Sequence, residues 1–199
     1  KEAGADMLYF EEEGWIEVSP GDARYLRSFM ISRAVYEAEK LVSLPVIKTH
    51  SYATYSMGLK NLVGTIHPKN RSQLHDSQMM EEMIAEISLG VYPDLVIMDG
   101  TKSMVAGGGP AEGTVRETNL IIASWDEVAA DVVGLGIVKS FGEWERISRI
   151  GVWEQRQVKR AAELNLGATS GREIDLRWKS LDGKDELDRL MQRVKSYLK

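Results

Sequence analysis

The chain of 199 residues contains no cysteine, which excludes disulfide bonds, thiolate nucleophiles and iron–sulfur clusters held by this chain alone. No apolar run reaches the roughly 18 to 20 residues of a membrane span, and the first residues lack a basic and apolar signal pattern. Basic residues are also in deficit, 25 against 30 acidic ones. Nucleic-acid and membrane-surface binders neutralise phosphates with a basic face, so we expect neither partner and predict a cytoplasmic protein.

The order of apolar runs and helical patterns indicates the fold class. Apolar runs at residues 40–47, 95–98 and 119–123 lie between segments of helical periodicity at 22–39, 77–89 and 127–141. This alternation is typical of α/β proteins. We predict an α/β fold with a mainly parallel sheet and helices on both faces. Residues 40–47 are so apolar that both faces of that strand should be covered, with Pro45 at its end or edge.

The composition divides the chain at Gly142. Residues 1–142 are predicted to form an α/β core that carries the site, and residues 143–199 a helix-rich extension that packs on the core without chemistry of its own. The chain opens on Lys1 with a pattern that resembles the end of a helix entering a strand. We therefore expect the N-terminal part of the core to be incomplete and the chain to be a fragment.

All three histidines lie in one irregular stretch, residues 44–76. Imidazole is a common metal ligand and titrates near neutrality, so His50 and His75 indicate a metal site or an acid–base pair. The separations of 17 and 8 residues between His50, His67 and His75 match no local zinc signature. The alternative is a set of loop histidines with ordinary hydrogen bonds, an interpretation that fits His67, before Pro68, best.

Lysines in the same stretch offer a second kind of chemistry. Lys48 and Lys60 could bind an anionic ligand, act as bases or form a covalent link, with a solvated surface position as the alternative. Lys60 is the stronger candidate, because it lies among apolar residues between Gly58 and Gly64.

Loops that follow predicted strands supply further candidates, since ligands of open α/β sheets bind at the carboxyl ends of the strands. Such loops begin at Lys48, at Asp99 and at Ser124. The glycines at 107–109 could form an amide cradle for an anion, or a plain turn or mobile flap. Asp126 is a predicted helix N-cap, and Asp131 lies in an apolar helix where its carboxylate requires a partner such as a lysine, a histidine or a metal.

Several blocks resemble a known family. The blocks LPVIKTH, GLKNLVG, PDLVIMDG, GGGPAEGT and SWDEVAADVVG resemble the uncharacterised family catalogued as domain of unknown function 362, from the start of the chain to about Gly142. Members of that family usually carry a further N-terminal segment, and some carry ferredoxin-like iron–sulfur modules. The resemblance therefore implies a ferredoxin-like partner.

A more distant resemblance is to the lactate racemase family. That family has a catalytic histidine, a lysine that tethers a nickel-pincer nucleotide, and a histidine that ligates nickel. His50, Lys60 and His75 are similarly spaced, 10 and 15 residues apart, and the resemblance implies those roles for them, with the pincer nucleotide or another metal as cofactor. GLKN replaces a more glycine-rich turn and a second catalytic histidine would fall before Lys1, so shared site geometry is implied more than a shared reaction.

These observations predict a His/Lys site that binds a small anionic ligand or a metal-containing cofactor, with isomerase or redox chemistry as the reaction classes considered. The residues expected to act in catalysis are His50, Lys48 and Asp131. Those expected to bind the cofactor are Lys60, Asn61, Gly64, Gly107, Gly108, Gly109 and Asp99, and the expected metal ligand is His75. The alternative function is a non-catalytic module that docks onto an iron–sulfur or other redox partner. Substrate, reaction and metal identity stay open.

Overall fold

The computed structural model describes residues 4–109, 112–181 and 185–199. The strands in these ranges are β1 (Trp15–Val18), β2 (Phe29–Ser32), β3 (Val42–Ser43), β4 (Val46–His50), β5 (Thr54–Ser56), β6 (Leu95–Gly107) and β7 (Gly113–Ser124). The α-helices are α1 (Phe10–Glu13), α2 (Arg33–Tyr36), α3 (Gly58–Asn61), α4 (Pro68–His75), α5 (Met80–Ile87), α6 (Glu127–Phe141), α7 (Glu145–Ser148), α8 (Arg156–Glu163) and α9 (Asp185–Tyr197). Short 3₁₀ helices span Leu62–Thr65, Val152–Glu154 and Gly171–Glu173.

The main sheet is mixed. Strands β3 and β4 follow one another along the same edge of β6 and run parallel to it, whereas β5 is antiparallel to β4 and β7 is antiparallel to β6. Strands β1 and β2 form a separate antiparallel pair. The α/β class, with a mixed sheet flanked by helices and a helix at the C-terminal end, is thereby confirmed.

The largest difference from the sequence prediction is the β6–β7 hairpin. A short strand ending at Met98, a glycine-rich loop and a second short strand were expected, but β6 continues to Gly107 and pairs with β7 from Val96↔Ser124 to Gly107↔Gly113. Register shifts after Gly100 absorb the irregularity that glycine introduces. Backbone pairing with a distant strand thus overrides the local break signal. Pro110 and Ala111 of the expected glycine-rich loop lie outside the described residues.

Strands β3 and β4 were expected to be covered on both faces, and this is wrong for their outer face. The inward residues Ser43 and Ile47 are buried, while the outward residues Val42, Leu44 and Val46 are 48%, 66% and 42% exposed. Pro45 lies between the two strands, as its missing N–H predicts. The apolar run therefore alternates between core and solvent.

Helix α6 is the centre of the core. Its residues from Glu127 to Val138 are buried, and it packs against the sheet, α3, α8 and α9. The predicted N-cap is confirmed, since the Ala129 backbone N–H donates to Asp126 Oδ1 at 2.9 Å, and Gly142 ends the helix in the left-handed conformation. Residues after Gly142 contribute α8 and α9 to this packing. The domain boundary at residue 142 stays a prediction.

Helix α5 confirms the prediction that the methionine-rich segment is core. Met80 and Met83 are buried, as are Ile84 and Ile87.

In the described part of the chain, no helix combines the length and apolar character needed to cross a membrane.

Candidate functional site

Five side chains that can carry positive charge converge at the end of β4. We call Lys48, His50, Lys60, His75 and Arg146 the cationic cluster. Burial, and then the positive charges of Lys60, His75, Lys48 and Arg146 in that order, together lower the pKa of His50 to about 4. Burial and then the charge of Lys48 lower the pKa of Lys60. The structure therefore brings together the four histidine and lysine candidates that the sequence analysis proposed.

The alternation of β4 explains how two of these side chains reach one surface. Ile47 and Thr49 are buried, so Lys48 and His50 project from the opposite face of the strand. The ring of Tyr52, 71% exposed, lies beside both histidines, with centroid distances of 6.4 Å to His50 and 6.1 Å to His75. Strand pleating and one turn thus place the two imidazoles on either side of an exposed tyrosine.

The cationic cluster lacks counter-ions. In residues 4–109, 112–181 and 185–199, no carboxylate forms a salt bridge with Lys48, Lys60, His75 or Arg146. Elsewhere in the described structure, basic residues such as Lys40 and Arg116 are paired with carboxylates, Asp94 and Glu143 respectively. Unpaired cations held together repel one another, and this repulsion makes an anionic ligand favourable.

Helix α3 carries Lys60, and Asp131 of α6 fixes its start. The backbone N–H groups of Gly58 and Leu59 donate to Asp131 Oδ1 at 2.6 Å and Oδ2 at 3.2 Å. A Cβ atom at position 58 would lie 2.8 Å from Asp131 Oδ1, so glycine is required for this close approach. Asp131 was expected to pair with a lysine, a histidine or a metal. Its partners are instead two backbone amides, because the free N–H groups of a helix start need an acceptor.

Glu127, one turn before Asp131 on α6, was not foreseen. Its side chain is buried, Ser88 Oγ donates to Oε2 at 3.0 Å, and Oε1 has no hydrogen-bond partner in the described structure. Burial and then the charge of Asp131 raise its pKa to about 8, while burial raises that of Asp131 to about 7 against its two amide bonds. The i, i+4 spacing of two carboxylates in an apolar helix was the available signal. We call Glu127 and Asp131 the buried acid pair.

The glycine turn of the β6–β7 hairpin lies directly against the backbone of His50. The Ser51 N–H donates to Gly108 O at 3.3 Å, and a Cβ at position 108 would approach Ser51 N to 2.2 Å. The amide of Gly108 donates to Glu112 O at 3.2 Å and is not free for an anion. The structure therefore gives Gly108 a role in close packing against the backbone of residues 50 and 51, and not in an amide cradle. Its neighbours Gly107 and Gly109 belong to the same turn.

Three other candidates have partners outside the cationic cluster. Asp99 was expected at the end of a strand, but β6 continues past it to Gly107. Asp99 is therefore in the middle of this strand, where it is exposed and its side chain accepts from the Thr101 N–H at 2.8 Å. Asn61 donates to Ser43 Oγ at 2.9 Å. Together with Gly64 it lines a separate cavity of about 270 Å³ beside β3. These contacts of Asp99, Asn61 and Gly64 involve none of the lysine and histidine side chains, although Asp99 pairs across the sheet with Val46, two residues before Lys48.

His67 has the structural role that the alternative interpretation gave it. Its Nδ1 accepts from the Lys69 N–H at 3.1 Å and caps α4, and its ring meets Trp15 edge-on at 4.8 Å. The histidine before Pro68 therefore starts a helix.

Arg146 was missed, since no chemistry was expected beyond Gly142. Its guanidinium donates to the backbone carbonyls of Ser51 and Tyr52, which are more than ninety residues away in sequence. Gln157, also from the C-terminal part, is buried and donates to Ala53 O at 2.7 Å and Tyr55 O at 3.1 Å. Neither residue belongs to a recognisable pattern, so the sequence offered no signal for them.

The resemblance to lactate racemase implied a metal group ligated by His75. Within the part of the chain that the structure describes, no three His, Asp or Glu residues are grouped so that they could hold a metal ion. His75 as a metal ligand stays a prediction, as does the lactate racemase resemblance itself.

Comparisons with known proteins place the chain in a family. The Thylakoid-associated protein sll1697 of Synechocystis sp. is 33% identical over 117 residues, which cover 56% of this chain and 36% of that relative. The chain thus spans about a third of the length of this curated relative. The cytoplasmic location of the chain stays a prediction. No solved structure matches the chain. Residues 1–136, more than half of the chain, match the family described as Domain of unknown function (DUF362), so the chain belongs to this family.

Proposed function

We propose that the chain binds a small, multiply charged anion at the cationic cluster. The observation that supports this function best is that Lys48, Lys60 and Arg146 gather around His50 without a carboxylate among the described residues to balance them. An ordinary surface disperses its cations or pairs them with acids. Holding them together costs free energy that a bound anion recovers.

Lys60 is the central binding group in this proposal. It is half-buried, and charge-assisted hydrogen bonds are stronger where water is partly excluded. Lys48 and Arg146 are exposed, so they attract the anion and complete its coordination with smaller individual contributions. Either isomerase or redox chemistry on an anionic substrate is compatible with this arrangement, and both stay predictions.

Calorimetric titration with pyrophosphate and with inorganic phosphate tests the proposal. Replacing Lys60 by Gln should weaken pyrophosphate binding about 10- to 100-fold, the usual worth of a hydrogen bond between charged groups. Lys69→Gln is the matched control, because Lys69 is an exposed lysine of α4 in the same stretch. It should bind as tightly as the unmodified protein. Equal affinities of the Lys60 and Lys69 variants would rule the proposed site out.

A second candidate function, docking onto a redox partner protein, is favoured by the apolar outer face of the sheet. Val46 and Ile121 flank Asp99 across three paired strands and are 42% and 67% exposed, and Trp125 just after β7 is 81% exposed. Exposed apolar patches commonly mark interaction sites. Titration with a purified two-cluster ferredoxin tests it: Ile121→Asp should remove binding while Lys60→Gln leaves it intact. Absence of binding by the unmodified chain would argue against this candidate.

A further inference from the structure

The turn that follows β4 is held by side chains from the C-terminal part of the chain. Arg146 donates to Ser51 O and Tyr52 O, and Gln157 donates to Ala53 O and Tyr55 O. Four of the five carbonyls of residues 51–55 are thereby fixed. Both donors lie beyond residue 136, where the family match ends.

Fixing this turn determines the hydrogen bonding of His50. The backbone N–H groups of Tyr52 and Ala53 both donate to His50 Nδ1, at 3.2 Å each. A nitrogen that accepts hydrogen bonds carries a lone pair and no proton, so the ring proton of neutral His50 lies on Nε2. His50 is then a hydrogen-bond donor through Nε2–H, because protonating Nδ1 would break both backbone bonds.

Gln157 is suited to this task by its burial and by its orientation. It is fully buried, and its Nε2 meets two carbonyl oxygens, whereas the flipped amide would place its oxygen against both. Its Oε1 has no partner in the described structure. The Gln157 amide thus leaves its own oxygen without a partner while its nitrogen donates to two carbonyls of the turn. Because buried polar atoms rarely lack partners, this arrangement indicates that the position of the turn is important.

We infer that Arg146 and Gln157 are positioning residues of the cationic cluster: by holding residues 51–55 they keep His50 as a neutral Nε2–H donor aimed at an oxygen atom of the bound anion. This inference rests on the proposed anion-binding function. It changes the role expected for His50 from acid–base exchange to donation toward an oxyanion, as in sites where a neutral imidazole polarises an oxygen. Substrates of this site therefore present an acceptor oxygen, as carboxylates and phosphoryl groups do.

The tautomer can be observed directly. Long-range proton–nitrogen correlation spectra of protein labelled with ¹⁵N-histidine distinguish Nε2–H from Nδ1–H imidazole. For the unmodified protein at pH 7.5 we expect the Nε2–H pattern for His50, assigned by its loss in His50→Gln. In Gln157→Met and Arg146→Met we expect mixed tautomers of His50. In Gln157→Met, which removes no charge from the cationic cluster, pyrophosphate binding should also be about 3- to 10-fold weaker, the usual net worth of a lost hydrogen bond.

Arg149→Met is the matched control, because Arg149 follows α7 directly and forms a salt bridge with exposed Glu145. It should change neither readout. If Gln157→Met does not fold, Arg146→Met carries the test, since its exposed side chain is not part of the core. Partial recovery of the Nε2–H tautomer by Arg146→Lys is expected for a positioning role, because lysine can still donate to the carbonyls of the turn.

An Nδ1–H pattern for His50 in the unmodified protein, or an unchanged tautomer in Arg146→Met, would overturn the inference. Failure of the proposed function is recognised separately. In that case pyrophosphate affinity does not depend on Lys60, while the tautomer of His50 still reports whether the turn is held as inferred.

Discussion

Two charged groups of side chains meet helix α3 from different environments. The cationic cluster is exposed or half-buried and has no salt bridge to a carboxylate among the described residues, whereas the buried acid pair lies in the core and is bonded to amides and a hydroxyl. Exposed cations keep most of their hydration and can exchange it for a ligand. Buried carboxylates cannot, so their partners must be built into the fold. The difference fits the proposed role of the cations in anion binding, and it places the acids in the frame that carries Lys60.

The largest effect we expect concerns the acid pair and pH. The pKa of Glu127 is raised from 4.5 to about 8 by burial and the charge of Asp131. A carboxyl whose pKa is higher in the folded state stabilises the fold below its unfolded pKa, and that stabilisation is lost as pH rises through the folded pKa. The free energy of unfolding should therefore fall between about pH 4.5 and pH 8.

Glu127→Gln should remove about half of this pH dependence, because glutamine cannot ionise whereas Asp131, whose pKa burial raises to about 7, still can. We expect a gain on the order of 4 kcal/mol over the unmodified protein at pH 8.5, and little difference at pH 4.5. Urea unfolding at both pH values measures it. Glu17→Gln on β1 is the control, since Glu17 is exposed. A variant with an undiminished fall in stability would contradict the raised pKa of Glu127.

The next effect concerns the frame itself. Asp131→Ala leaves the buried N–H groups of Gly58 and Leu59 without acceptors, so we expect a loss of about 2 to 4 kcal/mol in the free energy of unfolding at pH 7. Asp131→Asn keeps one acceptor and should lose about half as much. Urea unfolding compares the two variants. If both match the unmodified protein in stability, Asp131 does not hold α3.

The sequence predicted those helices and site residues that local sequence patterns determine. Apolar spacing identified α5 and α6, the residue type identified Asp126 as an N-cap, and clustering in sequence pointed to Lys48, His50, Lys60 and His75. Asp131 was noticed because a carboxylate in an apolar helix needs a partner. The partner itself was misjudged, because amides at the start of a four-residue helix cannot be recognised before that helix is placed.

Long-range contacts account for what the sequence did not reveal. Arg146 and Gln157 reach carbonyls about a hundred residues earlier, and a donor to a carbonyl needs no particular partner residue. Likewise, pairing with β7 extends β6 beyond Gly100, which by itself indicates a strand end. Backbone hydrogen bonds of this kind leave no sequence signature at either end.

A smaller effect distinguishes the members of the cationic cluster. Lys48 is exposed and its charge helps to lower the pKa of Lys60. Lys48→Gln should weaken pyrophosphate binding only about 3- to 5-fold, as for an exposed charge pair. The pKa of Lys60 should rise, so affinity should persist to higher pH than in the unmodified protein. Titrations from pH 7 to pH 10 measure both effects, and loss of affinity at lower pH than before would contradict the proximity of the two lysines.

The smallest effect is expected at Gly64, and it sharpens the boundary of the cationic cluster. The sequence placed Gly64 in the cofactor site, whereas the structure places it in the cavity beside β3, with no atom within 4 Å of a Cβ added there. Gly64→Ala should therefore change pyrophosphate affinity less than about twofold and stability by at most about 0.5 kcal/mol, as surface substitutions usually do. Gly58→Ala is the contrasting variant, because its Cβ would lie 2.8 Å from Asp131 Oδ1 and displace the start of α3. Calorimetric titration of both variants gives the comparison. A tenfold loss in Gly64→Ala would mean that the ligand reaches past Lys60 into the cavity, and the site would then extend along α3 rather than end at its lysine.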